Sequence, residues 1–203
     1  MNSFRIKYHN IDTSILSKSL KNNKISNNFQ KFFSDLPALN IVNNDNLFKK
    51  TKSLTNKFAR NKKIFFVFGT GGSNLGARAL TNILQGQEEK KILYYDNIDP
   101  INFKNSVEKF KLEEIGYIII SKSGTTSETL SQFGCLIEIF KNKKKISNFF
   151  KNCLIITENV PNPLRKIAID NNCIILDHDP LIGGRYSVFS NVGIVPATIS
   201  GMD

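Results

Sequence analysis

The sequence predicts an α/β protein: a five-stranded parallel sheet between two layers of helices, preceded by a helical N-terminal segment. Three observations carry this expectation. From residue 61 onward, short apolar runs alternate with longer helix-like stretches, the pattern of strands joined by crossover helices. The runs are continuously apolar rather than alternating, as in strands buried on both faces. A length of 203 residues, 40% hydrophobic, suits one large domain with an appendage and allows a real core.

Residues 1–60 are expected to form the helical extension, and residues 61–203 the α/β domain. Apolar positions in the extension recur at Leu16, Leu20, Phe29, Phe32 and Phe33, and again at Leu47, Leu54 and Phe58. These spacings favour short amphipathic helices, with one over residues 47–58 leading into the domain. The many Asn residues oppose helix, and Pro37 breaks the region. Next come "IFFVF" (64–68), a glycine-rich loop and "NLGARALTNIL" (74–84). "KILYY" (91–95) precedes a predicted helix over 99–110. "YIII" (117–120) precedes one over 125–140, "CLIIT" (153–157) one over 162–170, and "CIIL" (173–176) closes the sheet. The crossovers are right-handed by chain chirality. Ligands of such sheets bind beyond the carboxyl ends of the strands, which directs attention to the loops after Phe68, Ile120 and Leu176.

Composition narrows the function. Lys and Arg number 28 against 17 Asp and Glu, a formal charge of +11. That raises nucleic-acid binding, but the lysines are scattered and no nucleic-acid motif is present. An anionic small ligand fits the charge equally well. Cys135, Cys153 and Cys173 are odd in number and lack metal-ligand spacing, which argues against a metal site or disulfide frame. The first residues lack a signal-peptide core, and no stretch reaches the ~18 apolar residues of a membrane span. The sequence reads as a reducing, cytoplasmic protein.

The three loops carry the candidate chemistry. In "FGTGGSNLGARAL", glycines follow a strand and open a helix, so backbone amides and the helix dipole face an anion. A dinucleotide fingerprint starting at Gly69 requires glycine at position 74, which is Asn74, although Asp96 stands where a ribose-binding acid would. A P-loop requires Gly-Lys-Ser/Thr from position 76, and the chain has Gly76-Ala77-Arg78. A plain tight turn is the alternative. In "SKSGTTSETL", Ser121, Ser123, Thr125 and Thr126 crowd hydroxyls before a helix whose first turn holds Glu128. N-capping accounts for one or two of them, and a bound phosphate for all four. Lys122 is either a counter-charge or solvated. In "DPLIGGRYSVFSNVGI", Arg185 follows two glycines at the predicted ligand edge, where a guanidinium stabilises developing negative charge. His178 is a lesser candidate base, and His9 a lesser one still.

The motifs "FGTGGSNLGARAL", "SKSGTTSETL" and "GGRYSVFSNVG", with "NIDP" (97–100), resemble in order and spacing those of the phosphoglucose isomerase family over about residues 64–200. The first two are typical of sugar-isomerase (SIS) domains, and "GGRYS" is characteristic of this family. The resemblance implies a SIS-like fold and interconversion of glucose 6-phosphate and fructose 6-phosphate, with neither metal nor nucleotide cofactor. It implies that Gly72 and Ser73 help bind the sugar phosphate. Ser121, Lys122, Ser123, Gly124, Thr125 and Thr126 would form the phosphate loop, and Arg185 would stabilise the enediolate. It also implies a homodimer. The family's glutamate base, ring-opening histidine and C-terminal lysine belong to motifs that these 203 residues do not contain, and so does its second SIS domain. The chain is therefore expected to be an N-terminal portion of the enzyme that binds sugar phosphate and is inactive alone. A non-catalytic sugar-phosphate-binding module is the alternative, and a dinucleotide enzyme a third reading.

Overall fold

The computed structural model describes residue 14 and residues 31–83, 90–99 and 110–201. The strands are β1 (Ile64–Phe68), β2 (Lys91–Tyr95), β3 (Ile115–Ile120), β4 (Cys153–Glu158) and β5 (Ile174–His178). They form one sheet in the order β2-β1-β3-β4-β5, and every pairing is parallel. The main helices are α1 (Asp45–Ala59), α2 (Gly72–Ile83), α3 (Ser127–Asn142), α4 (Ile146–Lys151), α5 (Pro163–Asp170) and α6 (Asn191–Ile199). A short helical turn at Pro37–Asn40 precedes α1.

Strand residues divide strictly between the faces, as a period of two requires. Phe65, Val67, Ile118, Ile120, Leu154 and Ile156 pack with Phe58 and Ala59 of α1 and with Val192, Val195 and Ile199 of α6. Phe66, Phe68, Tyr117, Ile119 and Ile155 pack with Phe133, Leu136 and Phe140 of α3, with Phe149 and Phe150 of α4, and with Leu164 and Ala168 of α5. Apolar groups on both faces explain why β1 and β3 are buried throughout. The edge strands β2 and β5 are only partly buried, so the expectation of two-sided burial holds for the centre of the sheet.

Helix boundaries follow local chemistry. The Asn44 side chain accepts from the Leu47 amide at 3.0 Å and caps α1. Asn162 does the same for Arg165 at 2.8 Å, ahead of Pro163 in the first turn of α5, where proline's missing N–H costs nothing. In α3 the buried positions Thr129, Gln132, Phe133, Leu136 and Phe140 trace one face at helical spacing.

Two expectations meet a different outcome, and a third lies outside the described residues. The segment after Arg185 was expected to be loop, but Gly184–Phe189 is a 3-10 helix and α6 follows, with all nine of its residues buried. A helix apolar all round shows no period, and Gly193 and Pro196 lower its propensity. Its burial between α1, α2 and the sheet overrides that preference. Phe32 and Phe33 are 60% and 46% exposed, so they form no buried stripe. The helix expected over 99–110 falls almost wholly outside the described residues, as do Leu16, Leu20, Phe29 and His9.

Candidate functional site

The strand order reverses direction at β1 and β3: β1 leads to β2 on one side and β3 to β4 on the other. Chains leaving the carboxyl ends of two such strands diverge and open a crevice. The register pairs Phe68 with Ile119 and Ile120 with Ile156, so the loops after β1 and β3 emerge side by side. The helices that follow them, α2 and α3, both present their N-termini at this edge.

The loop after β1 is bound to the other loops through backbone. The buried Asn74 donates to the Gly69 carbonyl at 3.1 Å; the residue that interrupts a dinucleotide fingerprint thus closes this turn. Asp96 lies 3.7 Å from Arg78. Gly72 marks the closest approach. A Cβ there would overlap the Gly184 carbonyl and lie 2.5 Å from the Arg185 nitrogen, so only glycine permits the contact. Two glycines distant in sequence thereby hold Arg185 against the first turn of α2. The Arg185 side chain is exposed and makes no hydrogen bond or ion pair with the described residues.

The loop after β3 turns through Gly124, whose φ of +66° is a left-handed conformation. A Cβ on Gly124 would collide with the Asn162 side chain, so Asn162 both caps α5 and forms the floor of this loop. The buried Ser121 hydroxyl lies 2.8 Å from that of Thr126 and accepts from the Gly124 amide at 3.1 Å. Ser123 accepts from the amide and the hydroxyl of Thr125, at 3.2 and 2.9 Å. Thr126 occupies the N-cap position of α3, yet its side chain makes no cap bond. None of the four hydroxyls is spent on capping. The exposed Glu128 carboxyl is held below the ordinary carboxylate range, first by its own amide and then by the Ser127 hydroxyl. This is the response of an anion to a helix N-terminus.

Lys122 has a different setting. Its Nζ donates to the carbonyls of Pro180 and Ile182, at 2.9 and 3.0 Å, and lies 3.4 Å from Glu158 Oε1. It ties the β3 loop to the β5 loop. His178, at the end of β5, is buried and pairs in register with Glu158. Its Nδ1 lies 2.9 Å from the Asp179 carbonyl oxygen, so Nδ1 carries the proton. Its Nε2 has no partner among the described residues. Burial, reinforced by the Lys122 charge, holds this imidazole below its ordinary value of 6.5 and hence neutral.

The crevice thus assembles Gly72, Ser73, Ser121, Ser123, Gly124, Thr125, Thr126 and Arg185 from three loops. Lys122 joins the same loops with its ammonium turned to carbonyls, and His178 lies behind them. Sequence reasoning missed Asn162 and Glu158 as parts of this site. The Asn-Pro pair opening α5 signals a cap, but nothing local signals that this Asn supports Gly124. Among the described residues no group of three or more His, Cys, Asp or Glu is placed to hold a metal ion. No described helix is long and apolar enough to cross a membrane.

Comparison with known proteins decides the family. The sequence model of phosphoglucose isomerase matches residues 45–203. The chain belongs to the phosphoglucose isomerase family. A probable glucose-6-phosphate isomerase of Methanococcus maripaludis is 35% identical over 167 residues, covering 80% of this chain and 37% of that protein. The glucose-6-phosphate isomerase of Carboxydothermus hydrogenoformans is 31% identical over 181 residues, covering 84% of this chain and 38% of that protein. A crystal structure of a glucose-6-phosphate isomerase from Chlamydia trachomatis superposes with a TM-score of 0.66 at 24% identity, covering 76% of this chain and 29% of the other. The chain therefore spans under two fifths of the length of these curated relatives. The phosphoglucose isomerase match begins at Asp45, the first residue of α1, and takes in all three loops.

Proposed function

We propose that this chain supplies the phosphate-binding half of a glucose-6-phosphate isomerase site. Four hydroxyls lie within the six residues before α3, bonded in two pairs (Ser121 with Thr126, Ser123 with Thr125), and the Thr126 N-cap makes no cap bond; this single observation carries the reading. A phosphate dianion accepts hydrogen bonds only, and bonds to a charged group contribute about 1.5–3 kcal/mol each. Ser121, Ser123, Thr125, Thr126 and the amides around Lys122 and Gly124 take the phosphate, with Gly72 and Ser73 closing on it from α2. The sugar then extends toward Arg185. When a proton moves between C2 and C1, negative charge develops on the enediolate oxygens, and the exposed guanidinium stabilises it.

The domain division follows the same lines. Residues 61–203 form the SIS-like unit that carries the sheet and all three loops, and residues 1–60 are a helical part whose last helix, α1, packs on it. The active species is a homodimer in the cytoplasm. The resemblance assigns the glutamate base and the ring-opening histidine to motifs not found in these 203 residues. Alone, the chain binds sugar phosphate without turning it over, since each missing acid–base group forfeits about 10²–10⁴-fold in rate. Calorimetric titration of the 203-residue protein with fructose 6-phosphate and with NAD tests the binding; the proposal expects heat from the first only. A coupled isomerase assay tests the rest, and robust turnover by the isolated chain would refute the inactivity.

A further inference from the structure

We infer that Lys122 is a positioning residue, whose ammonium holds the Arg185 loop in place and gives no proton to the substrate's phosphate. The inference rests on the sugar-phosphate reading and deepens it. A lysine in the middle of a hydroxyl-rich anion loop is the obvious counter-charge, but its geometry argues otherwise. An ammonium has three protons; Nζ directs two of them to the Pro180 and Ile182 carbonyls and has the Glu158 carboxylate beside it as an ion-pair partner at 3.4 Å. These partners belong to the end of β4 and the loop after β5, not to the hydroxyl-bearing segment 121–126.

The lysine is itself firmly held. Its carbonyl accepts from the Glu158 amide at 3.0 Å and from the Thr157 hydroxyl at 3.3 Å, so β4 fixes the root of the side chain. From there it grips the loop at Pro180 and Ile182, and Ile182 is only three residues from Arg185. The second restraint on Arg185 is the backbone contact of Gly184 with Gly72. The catalytic guanidinium therefore hangs between two clamps, one on each side of the crevice. A displacement of about 1 Å at a reacting centre costs on the order of 100-fold, so loosening one clamp acts on the sugar end of the ligand and spares the phosphate end.

The test uses the 203-residue protein with Lys122→Met, and two probes. Inorganic phosphate reports the hydroxyl loop alone. 6-Phosphogluconate adds a C1 carboxylate where the enediolate would carry charge, and so reports Arg185. We expect 6-phosphogluconate affinity to fall at least about tenfold while phosphate affinity changes less than about threefold. Combined with Arg185→Ala, Lys122→Met should add less than about threefold. Amide exchange over residues 181–185 should speed at least about tenfold, with β3 amides unchanged as the control for an intact fold. Lys122→Gln, a smaller change, keeps the comparison open should the methionine variant not fold. An equal loss of both probes would make Lys122 a direct counter-charge and overturn the inference, and so would unchanged exchange at 181–185. A wild-type protein that binds neither probe would instead overturn the sugar-phosphate reading, and the exchange data would still decide whether Lys122 clamps the loop.

Discussion

Replacing Gly72 with alanine tests the backbone contact that joins the loops after β1 and β5. The added Cβ would lie 2.5 Å from the Arg185 nitrogen and closer still to the Gly184 carbonyl, where carbon contacts ordinarily relax to about 3.5–4.0 Å. Neither neighbour is a flexible side-chain end. Gly72 opens α2, and Gly184 opens a 3-10 helix whose Val188 packs tightly on Gly76 and Gly193, so the loops must part by about an ångström. Overpacking of this kind costs about 1–3 kcal/mol. At about 2–4 °C per kcal/mol for a protein of this size, Tm should fall by about 2–12 °C. Gly134→Ala is the matched control. Gly134 is exposed within α3 and a Cβ there meets nothing within 4 Å. Its replacement should stabilise by about 0.5–1 kcal/mol, raising Tm by about 1–4 °C. Thermal melts monitored by circular dichroism, with 6-phosphogluconate titrations alongside, read both effects. Should Gly72→Ala melt no lower than wild type and bind the probe equally well, the two loops are not in the contact described.

Asn162→Ala removes the cap of α5 and the support beneath Gly124. Urea unfolding should show a loss of about 0.5–2 kcal/mol, and phosphate affinity should fall with it; a stability loss with intact phosphate binding would separate the cap from the site. The buried His178 makes stability pH-dependent. Its folded-state pKa lies below the unfolded value of about 6.5, so the unfolded chain binds more protons in acid. The contribution is complete above pH 7 and is lost as pH falls through 6.5 toward the folded pKa, at up to about 1.4 kcal/mol per unit. Unfolding free energies at pH 7.5, 6.5 and 5.5 should show this slope in wild type and a smaller one in His178→Gln; equal slopes would place the titration elsewhere.

Much of this protein is legible in one dimension. The buried strands β1, β3 and β4 announce themselves because two-sided burial forces uninterrupted apolar runs, and the glycines and hydroxyls between them mark the ligand edge. The motif residues of all three loops could be named in advance because each loop is short and its chemistry local. The resemblance added the family, which the sequence comparison bears out. Helix α6 was illegible for a physical reason: a helix buried on all sides has no polar face to give it a period, and its Gly193 and Pro196 point the other way.

The tertiary structure decided what depends on contacts between distant segments. Spacing cannot reveal that Asn162 lies under Gly124, or that Gly72 is glycine because Gly184 needs the room. It cannot reveal that Lys122, amid the hydroxyls, spends its protons on Pro180 and Ile182. Composition and periodicity report how much of a residue is buried and in what local conformation, because those follow from its immediate neighbours. What a side chain or an amide bonds to is set by the packing of the whole sheet and its helices, and the contacts within this candidate site were decided there.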